Sequence, residues 1–189
     1  MDLVPTPSQT VGPFFHFELT TGEHCIKCIA GPQIQGERVW LTCRVLDGEG
    51  APLNDAMLEI WQADANGKYN HPDDLQPKTV QPGWVGFGRL ATGEDGSCEF
   101  ETIKAGRVGH NVLQAPHLNV AVFARGMLKQ LYTRIYFAGD PANPEDPILA
   151  LVPGERRGTL MAQPDPARNG HWHFDVHLQG EQETVFFDV

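Results

Sequence analysis

The chain has 189 residues, of which 20 are Gly and 15 are Pro, and only 20% are charged. That composition suits one turn-rich domain with a core of its own and excludes a disordered, collagen-like or coiled-coil chain. A formal charge of −10 with no basic cluster excludes a nucleic-acid or anionic-membrane surface.

The opening MDLVPTPSQT carries neither a cationic nor an apolar leader segment. The longest apolar runs, 120–124 and 148–152, are too short to span a membrane. Four cysteines, at 25, 28, 43 and 98, are few for a secreted disulfide scaffold, so a cytoplasmic chain with reduced thiols is expected.

Residues 1–37 read as an irregular N-terminal arm, interrupted by Pro5, Pro7, Pro13 and Pro32 and by four glycines. Alternation then begins. In 38–46, Val39, Leu41, Cys43 and Val45 share one face, and in 57–63, Leu58 and Ile60 oppose Met57, Glu59 and Trp61. A long Asn-, Asp-, Gly- and Pro-rich loop follows from Asp64 to Gly83, a length typical of functional or interfacial loops. Strands are expected at 84–91, 98–103 after a turn at Asp95 and Gly96, 117–125 and 129–137. Residues 140–169 form a Pro-rich connection around 148–152, and the C-terminal stretch reads as two strands that could pair as a hairpin. About eight short strands predict an all-β antiparallel β-sandwich over 38–189, preceded by the arm.

Several groups could carry chemistry. Cys25 and Cys28 form a CxxC, but neither a second ligand pair for zinc nor a thioredoxin-like setting accompanies it. His171, His173 and His177 alternate with Asp175 among them on one strand face; opposite Trp172, Phe174, Val176 and Leu178, this reads most simply as the solvated side. Arg134 lies between Tyr132 and Tyr136, where it either grips a carboxylate between aromatic rings or belongs to a surface ladder. His117 and Asn119 share a face, but an amide is a far weaker metal ligand than an imidazole.

Five blocks are distinctive: TPSQTVGPFFHF at 6–17, LEIWQADANGKY at 58–69, APHLNVAVFARG at 115–126, YTRIYFAGDP at 132–141 and QGEQETVFFD at 179–188. Together they resemble the intradiol ring-cleaving dioxygenases, nearly end to end, and within that family the alpha-type chains of the two-subunit enzymes that act on protocatechuate. The resemblance implies a β-sandwich. Catalytic members hold one non-haem Fe(III) with two Tyr and two His and use O2 to cleave the ring between its two hydroxylated carbons. For protocatechuate the product is 3-carboxy-cis,cis-muconate.

Carried over position by position, the ligand pattern is mostly missing. Asn119 replaces one His beside His117, Gln76 stands where one Tyr is expected, and Val108 where the other is. None of Tyr69, Tyr132 and Tyr136 falls at a ligand position. Gln76, Val108, His117 and Asn119 therefore read as a vestigial metal site. The resemblance implies no metal in this chain and an iron-binding beta subunit as partner, in a hetero-oligomer of αβ units with a pocket at the interface. This chain would supply Thr10, Gly12, Pro13 and Phe14 from its arm, and Arg134 toward the carboxylate of a small aromatic acid. Two other readings stay open: a stand-alone sandwich that binds an aromatic acid without catalysis, and an isolated iron enzyme with unusual ligands.

Overall fold

The computed structural model describes residues 10, 12 and 17–188. Its strands are β1 (Arg38–Leu46), β2 (Met57–Trp61), β3 (Phe87–Ala91), β4 (Ser97–Ile103), β5 (His117–Phe123), β6 (Leu131–Phe137), β7 (Met161–Pro164) and β8 (His171–His177). They form one all-β sheet in the order β3-β2-β5-β6-β7-β8-β1-β4. The alternation in the sequence is what the sheet uses. In β1, Val39, Leu41, Cys43 and Val45 are all buried, while the residues between them are more exposed.

The two end strands do not remain as open edges. The extended segment 25–29, here called the strap, lies between them. Ile26 exchanges backbone hydrogen bonds with Arg89 of β3, and on the other side Ile29 N donates to Glu101 O and Glu101 N to Lys27 O. The sheet is thereby nearly closed around a core that includes Leu41, Leu58, Ile60, Trp84, Phe100, Leu118 and Ile135.

The sequence predicts antiparallel pairing throughout, but two of the pairs are parallel. β1 runs parallel to β8, and β6 parallel to β7. Parallel neighbours need long connections, and here 138–160 supplies one of them. Within that connection lies the apolar stretch 148–152. The segment forms a 3-10 turn, Leu149–Leu151, whose Leu149 joins Val152, Ala115, Tyr136 and Leu160 in a second core cluster. At the C-terminus only β8 is a strand. The expected second strand is reduced to a bridge between Phe187 and Tyr132. Among the described residues, no helix is long and apolar enough to cross a membrane.

Candidate functional site

The hairpin of β5 and β6 sets the site's floor. Its register places His117 opposite Tyr136 and Asn119 opposite Arg134, and β2 adds Trp61 beside Asn119. Period-two alternation turns Leu118, Val120 and Ile135 into the core, so these polar residues share the other face.

The turn after β2 folds Tyr69 back over this floor. Asp64 organises the turn: its Oδ1 accepts from the backbone NH groups of Asn66 and Lys68, and its Oδ2 from that of Gln81. Gly67 has φ +75, and a Cβ there would strike the Arg107 carbonyl, so glycine lets the 104–116 loop close on the turn. The Tyr69 ring stacks on Trp61 with centroids 6.0 Å apart.

The polar groups are satisfied from within. Asn119 Nδ2 donates to the Tyr69 hydroxyl at 2.9 Å and to Trp61 O at 3.2 Å. The Tyr69 hydroxyl lies 3.3 Å from His117 Nε2, and His117 Nδ1 lies 2.8 Å from Ala115 O. A carbonyl can only accept, so Nδ1 carries the imidazole proton and Nε2 accepts from Tyr69. Burial, reinforced by the Arg134 charge, lowers the His117 pKa to about 4, so the ring is neutral. Burial raises that of Tyr69, against the pull of Asn119 and Arg134, and keeps the phenol protonated.

Gln76 fastens the loops above. Its Oε1 accepts from Gly109 N at 2.8 Å, while its Nε2 donates to Gly67 O and Asp74 Oδ2. Asp74 Oδ2 also accepts from Tyr69 N at 2.8 Å, and Lys68 binds the same carboxylate. Val108 is buried, and its carbonyl accepts from Gln114 N. Gln114 Oε1 in turn receives Arg134 Nη1 at 2.8 Å. The structure thus connects Gln76, Val108, His117, Asn119 and Arg134 through one chain of contacts.

This donor set does not fit Fe(III). His117 is the one imidazole; its Nε2 is occupied by a protonated phenol, and an amide, a second amide and an isopropyl group take the remaining places. Among the described residues, no three His, Cys, Asp or Glu side chains are grouped to hold a metal.

Sequence reasoning did not find Tyr69, because its role depends on the turn that returns it to Trp61. It also did not find Asp146, a fully buried carboxylate in the Pro-rich connection. Asp146 accepts from Ala115 N at 2.7 Å, Leu149 N at 2.7 Å, Ile148 N at 2.9 Å and the Tyr136 hydroxyl at 3.2 Å. Burial drives the Tyr136 pKa up to about 12, against the Arg134 hydrogen bond.

The arm residues lie elsewhere. Thr10 Oγ1 accepts from Gly126 N at 2.9 Å, at the tip of the β5–β6 hairpin. Gly126 is seven residues beyond Asn119, or roughly 20 Å at the rise of a strand, so Thr10 and Arg134 are not neighbours within the chain. A Cβ at Gly12 would meet open space. Pro13 and Phe14 lie outside the described residues. Arg125, next to Gly126, is ion-paired with Asp55, and its side chain is 79% exposed.

The His-rich strand face makes no cluster. His171 stacks on Trp40, His173 Nε2 lies 3.2 Å from Asp165 Oδ2, and Asp175 is held by Arg44 through two hydrogen bonds.

Comparison with known proteins agrees with this architecture. Residues 11–180 match the family model described as "Dioxygenase". The protocatechuate 3,4-dioxygenase alpha chain of Burkholderia cepacia is 44% identical, over 99% of this chain and 98% of that one. The beta chain of the same enzyme and organism is 35% identical, over 94% of this chain and 77% of its own length. The dioxygenase domain of a dioxygenase carbohydrate-binding protein fusion from Streptomyces sp. SirexAA-E superposes with a TM-score of 0.63 at 26% identity, covering 94% and 99% of the two chains. The chain belongs to the intradiol dioxygenase family.

Proposed function

We propose that this chain is the alpha-type, non-iron subunit of a protocatechuate 3,4-dioxygenase, active only with an iron-carrying beta-type partner. The observation that carries the proposal is a family fold in which the residues that the resemblance aligns with the metal ligands, Gln76, Val108, His117 and Asn119, supply a single imidazole, already hydrogen-bonded at both nitrogens. Similarity to both an alpha and a beta chain supports a pair of related subunits. The nearly closed sheet is read as a flattened sandwich: β3, β2, β5 and β6 form one layer, β8, β1 and β4 the other, and short β7 joins them. The residues before the strap act as an arm; the strap and the residues that follow it, with Ile29, Ala30 and Ile34 in the core, belong with 38–189 in the domain. A cytoplasmic setting fits four free thiols.

In the complex, Thr10, Gly12, Pro13 and Phe14 line the substrate pocket, and Arg134 faces the carboxylate of the aromatic acid. Arg134 suits that role because Nη1 alone of its guanidinium nitrogens has a hydrogen-bond partner among the described residues. Its planar fork matches a carboxylate. The Thr10–Gly126 contact favours a second reading, in which Arg125 is the cation nearest the arm.

The test is purification of the chain alone and with a beta-type partner, followed by iron analysis and protocatechuate-dependent O2 uptake. Iron and activity are expected only in the complex; stoichiometric Fe(III) in the chain alone overturns the reading. Charge-assisted hydrogen bonds contribute about 1.5–3 kcal/mol. Arg134→Ala therefore weakens protocatechuate binding roughly tenfold to a hundredfold, with unchanged iron and a smaller effect on catechol. If Arg125→Ala produces that pattern instead, the second reading holds.

A further inference from the structure

Cys25 and Cys28 look like a local pair in the sequence, yet the strap holds them apart. Cys25 has extended φ and ψ of −87 and 96, Ile26 is bonded on both sides to Arg89, and Cys28 bridges Glu101. Three residues of extended chain separate their Cα atoms by about 10 Å, beyond the roughly 4.4–6.8 Å that a disulfide spans. Cys28 Sγ is turned to Ala30 O, 3.4 Å away.

The register supplies a different partner. The strap runs parallel to β4 with Cys28 opposite Glu101. Continued three residues earlier on both segments, that register leads from Cys28 and Glu101 to Cys25 and Cys98, and Cys25 is close enough to act electrostatically on the Cys98 thiol. On the far side of β4, Cys98 is paired with Cys43 of β1. The continued register thus sets three free thiols in sequence across strap, β4 and β1, of which Cys98 and Cys43 are directly paired. Neighbouring strands lie roughly 4.8 Å apart, inside the disulfide range. Access falls along the row: Cys25 is exposed, Cys98 is 8% exposed and Cys43 is fully buried. Burial, and then the neighbouring Cys25, push the Cys98 thiol up to about 12, so it stays protonated and does not itself react first with an oxidant.

We propose that Cys25 and Cys98 are a disulfide-forming pair, oxidised by a hydroperoxide, that staples the strap and the root of the N-terminal arm to β4. In the first step the Cys25 thiol is oxidised by hydrogen peroxide to a sulfenic acid, and the peroxide is reduced to water. In the second, the Cys98 sulfur attacks the Cys25 sulfur. The S–S bond forms, the S–OH bond breaks, and the hydroxyl leaves with the Cys98 proton as water. A dithiol reductant reverses the link.

The experiment treats the full chain, with its partner when co-expressed, with hydrogen peroxide, then alkylates the remaining thiols and maps peptides by mass spectrometry. The expected result is a peptide joining Cys25 to Cys98, lighter by two hydrogens, lost after dithiothreitol and absent in Cys25→Ser. In Cys98→Ser the Cys25 sulfenic acid is trapped by dimedone. Cys98 is buried and its replacement could unfold the sheet; the exposed Cys25→Ser variant keeps the test decisive. A Cys25–Cys28, Cys43–Cys98 or intermolecular link overturns the proposal. So does Cys25 driven to sulfinic acid while Cys98 remains alkylatable. None of these readouts depends on ring cleavage, so failure here leaves the functional proposal untouched.

Discussion

His117 is 1% exposed and hydrogen-bonded at both ring nitrogens, whereas His173, three strands along the same sheet, is exposed and leans on Asp165. Both regions are rich in residue types that bind metals, and the described residues of neither are grouped to hold one. They fail for opposite reasons. Around His117 the polar groups converge, but each is already paired with another. Around His173 the charges are present, but each carboxylate is committed to an arginine. Binding chemistry depends on which lone pairs are left over, and neither region leaves a set that converges.

The strongest way to break the comparison is through Asp146, which supports the His117 side from behind. Asp146→Ala strands three backbone NH groups and the Tyr136 hydroxyl in the interior. It should cost about 3–5 kcal/mol in urea unfolding. Asp146→Asn keeps an acceptor and should cost less; equal losses would show that the charge, not the acceptor count, matters.

Acid should act next. His117 is neutral in the fold with a pKa of about 4, below its usual 6.5. The unfolded chain therefore binds more protons between those values. Its contribution is fully present above pH 6.5 and is lost as the pH falls toward 4, amounting to about 2 kcal/mol by pH 5. Denaturation midpoints at pH 7 and pH 5 measure it, and His117→Gln should flatten that part of the slope.

Gln76→Ala removes three hydrogen bonds that join the 64–69 turn to two loops. A loss of about 1–3 kcal/mol is expected, with faster hydrogen exchange at Gly109 as its local signature. His173→Ala should change stability by no more than about 0.5 kcal/mol. A larger loss would mean that the solvated face holds more than Asp165. That aspartate lies well below the ordinary carboxylate range, through the Ala167 NH first, then Arg168 and His173.

The alternating strands were legible because each buries one face: 38–46, 98–103 and the 117–137 hairpin appear within a residue or two of where the pattern puts them. β7 was not legible. It pairs over two residues on each side, too few to show alternation, and it ends on Pro164. The apolar run at 148–152 was ambiguous in isolation and became a 3-10 turn because its side chains fill the second cluster. Within the site, Gln76, Val108 and Asn119 were singled out by resemblance alone, whereas Tyr69 and Asp146 depend on turns that bring distant segments together. The cysteines show the same limit. Spacing links Cys25 to Cys28, but sheet register, which no local pattern reveals, leads from Cys25 toward Cys98.

The strap also sets an order of assembly. Residues 25–29 are synthesised before β3 and β4, yet Ile26 bonds to Arg89 and Ile29 to Glu101. They cannot dock until β3 and β4 both exist. Until that long loop closes, the backbone of both end strands is open to any passing extended chain. Closure is thus a late, slow step in folding. Trimming the strap should show itself first as aggregation of newly made chains, and only afterwards as lost stability in those that fold.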